Sequence, residues 1–247
     1  ESVLNAIRAG YRLIDTAASY TNEDAVGEAV CEAIAEGICT REELFITSKM
    51  WVQDMQNYEM AKKAIDHSIE TLGVEYLDLY LLHQAMKDYF SAWRAMEDAY
   101  KEGKLRAIGV SNFYPHVLTN FCETVAIRPM VNQIEFHPGF TQEATVRYCQ
   151  EKGIYVQAWS PLGRKRVLEH PLLVGLAEKY NKSAAQICLR YEIQRQVIPL
   201  PKASTKERMV QNYQVFDFEI EKEDMYRIDS MQPAGWSGEH PDFPRVK

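Results

Sequence analysis

Tyr11-Arg-Leu-Ile-Asp15-Thr-Ala-Ala-Ser-Tyr20-Thr-Asn-Glu23 passes from a short apolar run into a polar loop, and an amphipathic segment follows. Tyr11 to Ile14 reads as a strand. Ala25, Val26, Ala29, Val30, Ala33 and Ile34 recur at helical spacing, with Thr21 or Asn22 as N-cap. The loop between strand and helix holds a carboxylate, Asp15, and a phenol, Tyr20, five residues apart. At that spacing both side chains can turn toward one point. A phenol with its ordinary pKa of about 10 gives up a proton readily only where a neighbour favours the phenolate.

The same strand-then-helix unit repeats outward from this stretch. Apolar strands begin near 11, 44, 77, 105, 130, 154 and 197, with helical patterns between them, among them Met60 to Leu72, Phe90 to Glu102 and Glu143 to Lys152. Further helices are expected at Leu172 to Tyr180, Ser183 to Gln194, Thr205 to Tyr213 and Lys222 to Ser230. Strands alternating with helices imply βαβ units and a parallel sheet. Seven strands at this spacing predict an α/β chain with a (β/α)8 TIM barrel, one unit short. Val3, Leu4 and Ile7 read as the back half of a helix, which puts the missing first strand and N-terminal hairpin upstream of Glu1. No linker or composition break divides residues 1–247, so one barrel domain is expected. The rival architecture, a doubly wound sheet, lacks its Gly-x-Gly-x-x-Gly fingerprint after any strand.

With 247 residues, 46% hydrophobic and 26% charged, the chain can bury a full core. A net charge of −7 argues against nucleic acid as a partner, though not against a local anion site. No apolar run approaches the roughly 20 residues that span a bilayer, so no membrane partner is expected. The five cysteines are scattered, and no pair has metal-ligand spacing; free thiols in a reducing cytoplasm are the plain reading.

In such a barrel, chemistry gathers at the C-terminal ends of the strands. Read in order, those ends carry Asp15 and Tyr20, Lys49, His83, Ser111-Asn112, Gln133, Trp159-Ser160 and Lys202. Any one of these alone is ordinary surface or core; the series is not. An ammonium, Lys49, beside the phenol favours its ionised form, and a carboxylate, Asp15, keeps that ammonium charged and oriented. An imidazole, His83, can donate to a carbonyl oxygen and align it. Tyr20 would then protonate an oxyanion as it forms. No nucleophile is present in the set, so the electron pair must come from a cofactor. Asn112 and Gln133 are amides able to fix a carboxamide such as that of nicotinamide, and Trp159 is a flat face for a ring to stack on. Lys202 and Arg208, after the last strand and near a helix start, suit a phosphate.

The stretches GYRLIDTAASYTNE, LFITSKMW, LDLYLLH, LRAIGVSNF, VNQIEFHP, QAWSPLG and IPLPKASTKERMVQN, in this order, resemble the aldo-keto reductase family over essentially the whole chain. Within it the chain is similar to bacterial-type diketogluconate, glyoxal and methylglyoxal reductases. The resemblance implies a catalytic tetrad of Tyr20, Lys49, His83 and Asp15, with Tyr20 the general acid. It implies cofactor contacts at Ser111, Asn112, Gln133, Trp159, Ser160 and Leu162, and at Lys202, Ser204, Arg208, Gln211 and Asn212. It further implies NADPH (NADP+) as cofactor, an aldehyde or ketone as substrate, no metal, and a monomer.

Two local departures bear on these expectations. Ala203 follows Lys202 where many relatives carry serine, which removes one hydroxyl from the 2′-phosphate site and narrows the preference for NADPH. Gln84-Ala-Met-Lys87 after His83 replaces the family's usual loop and changes the substrate mouth. Trp51 and Phe113 are expected to wall that pocket; Trp236 would join them depending on the path of the tail. Two other functions fit parts of the pattern. One is a cofactor-binding regulatory subunit with little turnover. The other is a barrel hydrolase using Asp15 and His83 with a metal or water. NADPH-dependent turnover separates both from a reductase.

Overall fold

The computed structural model describes residues 1–243. Its strands are β1 (Leu13–Asp15), β2 (Phe45–Met50), β3 (Leu79–Leu82), β4 (Ile108–Ser111), β5 (Val131–Glu135), β6 (Tyr155–Trp159) and β7 (Val197–Pro199). They follow one another in the sheet in sequence order. Registers are parallel, with Asp15 beside Thr47, Lys49 beside Leu81 and Val156 beside Val197. Parallel neighbours need a crossover between them, and helices supply it. The chain forms two compact units, Glu1–Asn132 and the part from Gln133 onward.

The first unit contains α1 (Ser2–Arg8), α2 (Glu23–Ala35), α3 (Tyr58–Leu72), α4 (Tyr89–Lys101) and α5 (Pro115–Thr124). The ends of α3 are set by local chemistry. Asn57 caps its first turn by accepting from Met60 N, and Gly73 closes it in the left-handed region at φ 63°. Asp88 caps α4 in the same way, accepting from Ser91 N. Helix α5 has no side-chain cap; Pro115 at its start, and Leu118, Phe121 and Cys122 on one buried face, define it. Phe121 joins Tyr89, Phe90, Trp93 and Phe113 in an aromatic cluster with ring centroids 4.8–5.8 Å apart. Such rings contribute both area and edge-to-face contacts to the core.

The second unit contains α6 (Glu143–Glu151), α7 (Pro171–Tyr180), α8 (Ala184–Gln194), α9 (Lys206–Tyr213) and α10 (Lys222–Asp229). A full capping box between Ser183 and Gln186 starts α8. The tail after α10 returns to the loop beyond β5: Ala234 N bonds to Gly139 O, and the buried Glu135 accepts from Ser237 N and Oγ at 2.8 and 2.6 Å. Among the described residues no helix is long and apolar enough to cross a membrane.

Candidate active site

The backbone explains why Asp15 and Tyr20 meet. Asp15 ends β1, and the ladder continues one residue further through Thr16 N to Thr47 O at 2.9 Å. Ala17 is extended and fully buried. A single 3₁₀ turn, Ala18–Tyr20, then swings Tyr20 round, and Thr21 closes it in the left-handed region at φ 51°. Asn22 stands at the N-cap of α2 without a side-chain cap bond; its Oδ1 instead accepts from Thr16 Oγ1 at 2.8 Å. The loop is thus folded back on itself, and it brings Tyr20 to the end of β2.

Lys49 is the centre of the arrangement. Its side chain is fully buried, and its ammonium donates to Asp15 Oδ1 at 2.6 Å, Thr16 O at 2.8 Å and Tyr20 OH at 3.4 Å. An ammonium has three donors, and all three are directed by the loop. A buried lysine without such partners would be costly in its charged form. The same Nζ lies 4.9 Å from the centre of the Tyr20 ring. Tyr20 itself is 47% exposed, so its hydroxyl stands between a buried cation and solvent.

His83 follows β3 and continues the ladder, its N–H bonding to Met50 O at 3.1 Å. Its ring packs edge-on against Trp51 at 5.0 Å and Tyr20 at 5.8 Å. Ser19 Oγ lies 3.4 Å from His83 Nδ1. Burial, and then the nearby Lys49 charge, push the imidazole pKa down to about 3. At neutral pH the ring is therefore uncharged, with one N–H donor and one lone pair. Asn112 is joined to the same group: its Nδ2 donates to His83 O and to Ser111 Oγ, each at 3.1 Å. Asn112 sits at φ 63°, a conformation asparagine tolerates better than most residues.

So the first unit gathers Asp15, Tyr20, Lys49, His83, Trp51, Ser111 and Asn112. Phe113 lies elsewhere: it is fully buried in the aromatic cluster, and Asn132 Nδ2 holds its carbonyl oxygen at 2.8 Å. Its placement supports a core role and gives none to a pocket wall.

In the second unit, Gln133 Nε2 donates to Gln157 Oε1 at 3.0 Å, both buried on β5 and β6. Trp159 ends β6 half-buried, Ser160 turns the chain at φ 54°, and Leu162 leads into a short 3₁₀ turn, Gly163–Lys165. Around the start of α9, Lys202, Ser204, Lys206, Arg208 and Gln211 are exposed while Asn212 is buried. Thr205 caps α9 by accepting from Arg208 N at 3.3 Å. Lys202, Lys206 and Arg208 make no ion pair among the described residues. Cations without an ion pair beside a helix N-terminus fit the phosphates of a dinucleotide. Trp236, on the tail, stacks on Phe140 with centroids 6.3 Å apart.

Sequence reasoning missed three of these contributors. The Thr16 carbonyl is a backbone group and leaves no mark in the sequence. Ser19 and Gln157 are polar residues whose partners, His83 and Gln133, are far along the chain; Gln157, inside an otherwise apolar strand, was the one visible signal.

The Aldo/keto reductase family model matches residues 1–233. A glyoxal reductase of Bacillus subtilis (strain 168) is 48% identical over 243 residues, which is 98% of this chain and 86% of the relative. The solved aldo-keto reductase of Bombyx mori in complex with NADP is 40% identical with a TM-score of 0.91, covering 99% of this chain and 88% of that one. An aldo-keto reductase from a Medee basin deep-sea metagenome library is 39% identical with a TM-score of 0.93, covering 99% and 90%. The chain belongs to the aldo/keto reductase family, as its motifs indicated. Its fold is the (β/α)8 barrel of that family, represented among the described residues by a seven-stranded sheet.

Proposed function

We propose that this protein reduces aldehydes and ketones to alcohols with NADPH, and that Tyr20 is the general acid. The observation that carries the proposal is the contrast at Lys49. His83 is held neutral by burial and by the ammonium, so it has no imidazolium proton to give at neutral pH. Tyr20 OH stands 3.4 Å from the same ammonium and is open to solvent, where a substrate oxygen can reach it. A phenolate formed there is stabilised by the buried cation it faces. Asp15 and Thr16 O orient Lys49 for that purpose. His83 donates its N–H to the substrate carbonyl and lines it up with the phenol. Trp51, packed on His83, walls the pocket.

NADPH supplies a hydride to the carbonyl carbon when bound. Asn112, Ser111 and Gln133 would hold its carboxamide, with Trp159 beneath the ring. Ser160 and Leu162 would border the cofactor, and Lys202, Ser204, Arg208, Gln211 and Asn212 would receive its adenosine phosphates. The similarity to a glyoxal reductase makes small 2-oxoaldehydes the first substrates to try. The same reading takes residues 1–247 as one barrel domain working as a cytoplasmic monomer. Its five free cysteines, four of them buried, suit a reducing compartment.

The test is Tyr20→Phe. NADPH oxidation with methylglyoxal should fall by about two to four orders of magnitude, the scale of general acid catalysis. NADPH affinity, read by quenching of tryptophan fluorescence, should hold. Retained turnover removes Tyr20 from the role. Tight NADPH binding with no turnover in the unaltered protein favours the regulatory subunit instead.

A further inference from the structure

The strand that carries Lys49 also holds the far end of the Tyr20 loop, through its other face. Successive residues of a strand point to opposite faces, so Ser48 points away from Lys49. Ser48 is fully buried, and its hydroxyl donates to Glu23 Oε1 at 2.5 Å. Glu23 is the first residue of α2, three residues beyond Tyr20, and only 6% exposed. Its second oxygen accepts from Ser68 Oγ of α3 at 3.4 Å, and Ser68 in turn lies 3.1 Å from the Tyr80 hydroxyl of β3. A buried carboxyl at a helix N-terminus is favoured by the helix dipole and by these hydroxyls.

The packing around Glu23 shows how tightly this corner is fixed. One helical turn on, Gly27 lies on the same face of α2. A β-carbon at Gly27 would collide with the backbone of Leu72 at the end of α3. Glycine therefore lets α2 approach α3 closely, which brings Glu23 within reach of Ser48 and Ser68 together. Apolar residues of similar volume could fill such a site without loss of stability. What a hydrogen-bonded carboxyl adds is a fixed position along the helix axis.

We propose that Glu23 and Ser48 are positioning residues for the proton donor, setting the distance between Tyr20 and Lys49. The proposal rests on the reading of Tyr20 as general acid. Lys49 holds the loop at Asp15, Thr16 and Tyr20 from one face of β2, while Ser48 holds it at Glu23 from the other. At 3.4 Å the Lys49–Tyr20 contact is near the limit for a hydrogen bond. A small slide of α2 loses it, and a displacement of about 1 Å can cost about a hundredfold in rate.

The test compares Ser48→Ala, Glu23→Leu and Glu23→Gln in the full chain. In Ser48→Ala and Glu23→Leu, kcat should fall about tenfold or more, NADPH affinity should stay at the unaltered value, and the alkaline limb of the kcat profile should move. Glu23→Gln keeps an acceptor for Ser48 and should restore most of kcat and the original profile. If either disruptive variant fails to fold, Ser68→Ala removes only the longer bond and should give a smaller change in the same direction. Lowered melting temperatures with unchanged kcat and pH profile in the folded variants would make the cluster a structural one and overturn the proposal. Tyr20→Phe is run alongside: if it keeps turnover, the general-acid reading itself has failed, whatever Glu23 does.

Discussion

The neutral state of His83 is the most direct physical claim in the site. Its pKa is pushed from the usual 6.5 to about 3 by burial first and by Lys49 second. The unfolded chain takes up the proton below about 6.5, but the folded chain does not until about 3. This contribution to stability is therefore complete above about pH 6.5 and is lost as pH falls through that interval. Moving the midpoint from 6.5 to about 3, at about 1.4 kcal/mol for each unit of pH, sets a ceiling of about 5 kcal/mol. Residual solvent access to the ring brings the expected loss to a few kcal/mol. Two measurements check it. The His83 imidazole resonance should show no titration between about pH 8 and about pH 5. Denaturant unfolding across the same and lower pH should show a steeper acid loss in the unaltered protein than in His83→Gln, which carries no titrating group there. Lys49→Met should raise the His83 midpoint only partway, because burial is the larger cause. A midpoint near 6.5 would refute the reasoning, since His83 would then carry a proton of its own to give near neutral pH.

Two further outcomes follow from other parts of the molecule. Arg208→Ala should weaken NADPH by about tenfold or more and NADH much less, measured by fluorescence titration of both, because its planar fork suits the 2′-phosphate; equal losses would place Arg208 elsewhere. Glu192 on α8 is fully buried, neither of its carboxyl oxygens has a hydrogen-bond partner among the described residues, and burial raises its pKa well above 4.5. The folded state thus holds a proton that the unfolded chain releases above about 4.5, so stability falls as pH rises. Glu192→Gln should match the unaltered protein near pH 5 and exceed it increasingly toward about pH 8 in denaturant unfolding; parallel curves would show that Glu192 does not titrate this way.

Most of the fold was legible because its signal is local. The seven strands lie within a few residues of the apolar runs that announced them, and the helices begin at capping residues such as Asn57, Asp88, Ser183 and Thr205. Helix α5 was not among the expected helices: it has no side-chain cap, and its three buried residues cover little more than one turn. Phe113 shows the limit more sharply. It follows a polar strand end, yet it packs inward, because Tyr89 and Phe121 from two helices converge on it. Nothing near it in sequence reports that.

The sequence by itself determined that Asp15, Lys49 and His83 stand at or beside successive strand ends, with Tyr20 in the loop after the first, because strand spacing and the polar residues around each strand end are read one segment at a time. Only the tertiary structure decided how they interact. It sank Lys49 to full burial, aimed its ammonium at a backbone carbonyl, and left His83 partly buried beside that charge and Tyr20 exposed. Burial and charge proximity depend on residues tens of positions apart, so no single segment of the sequence reports them.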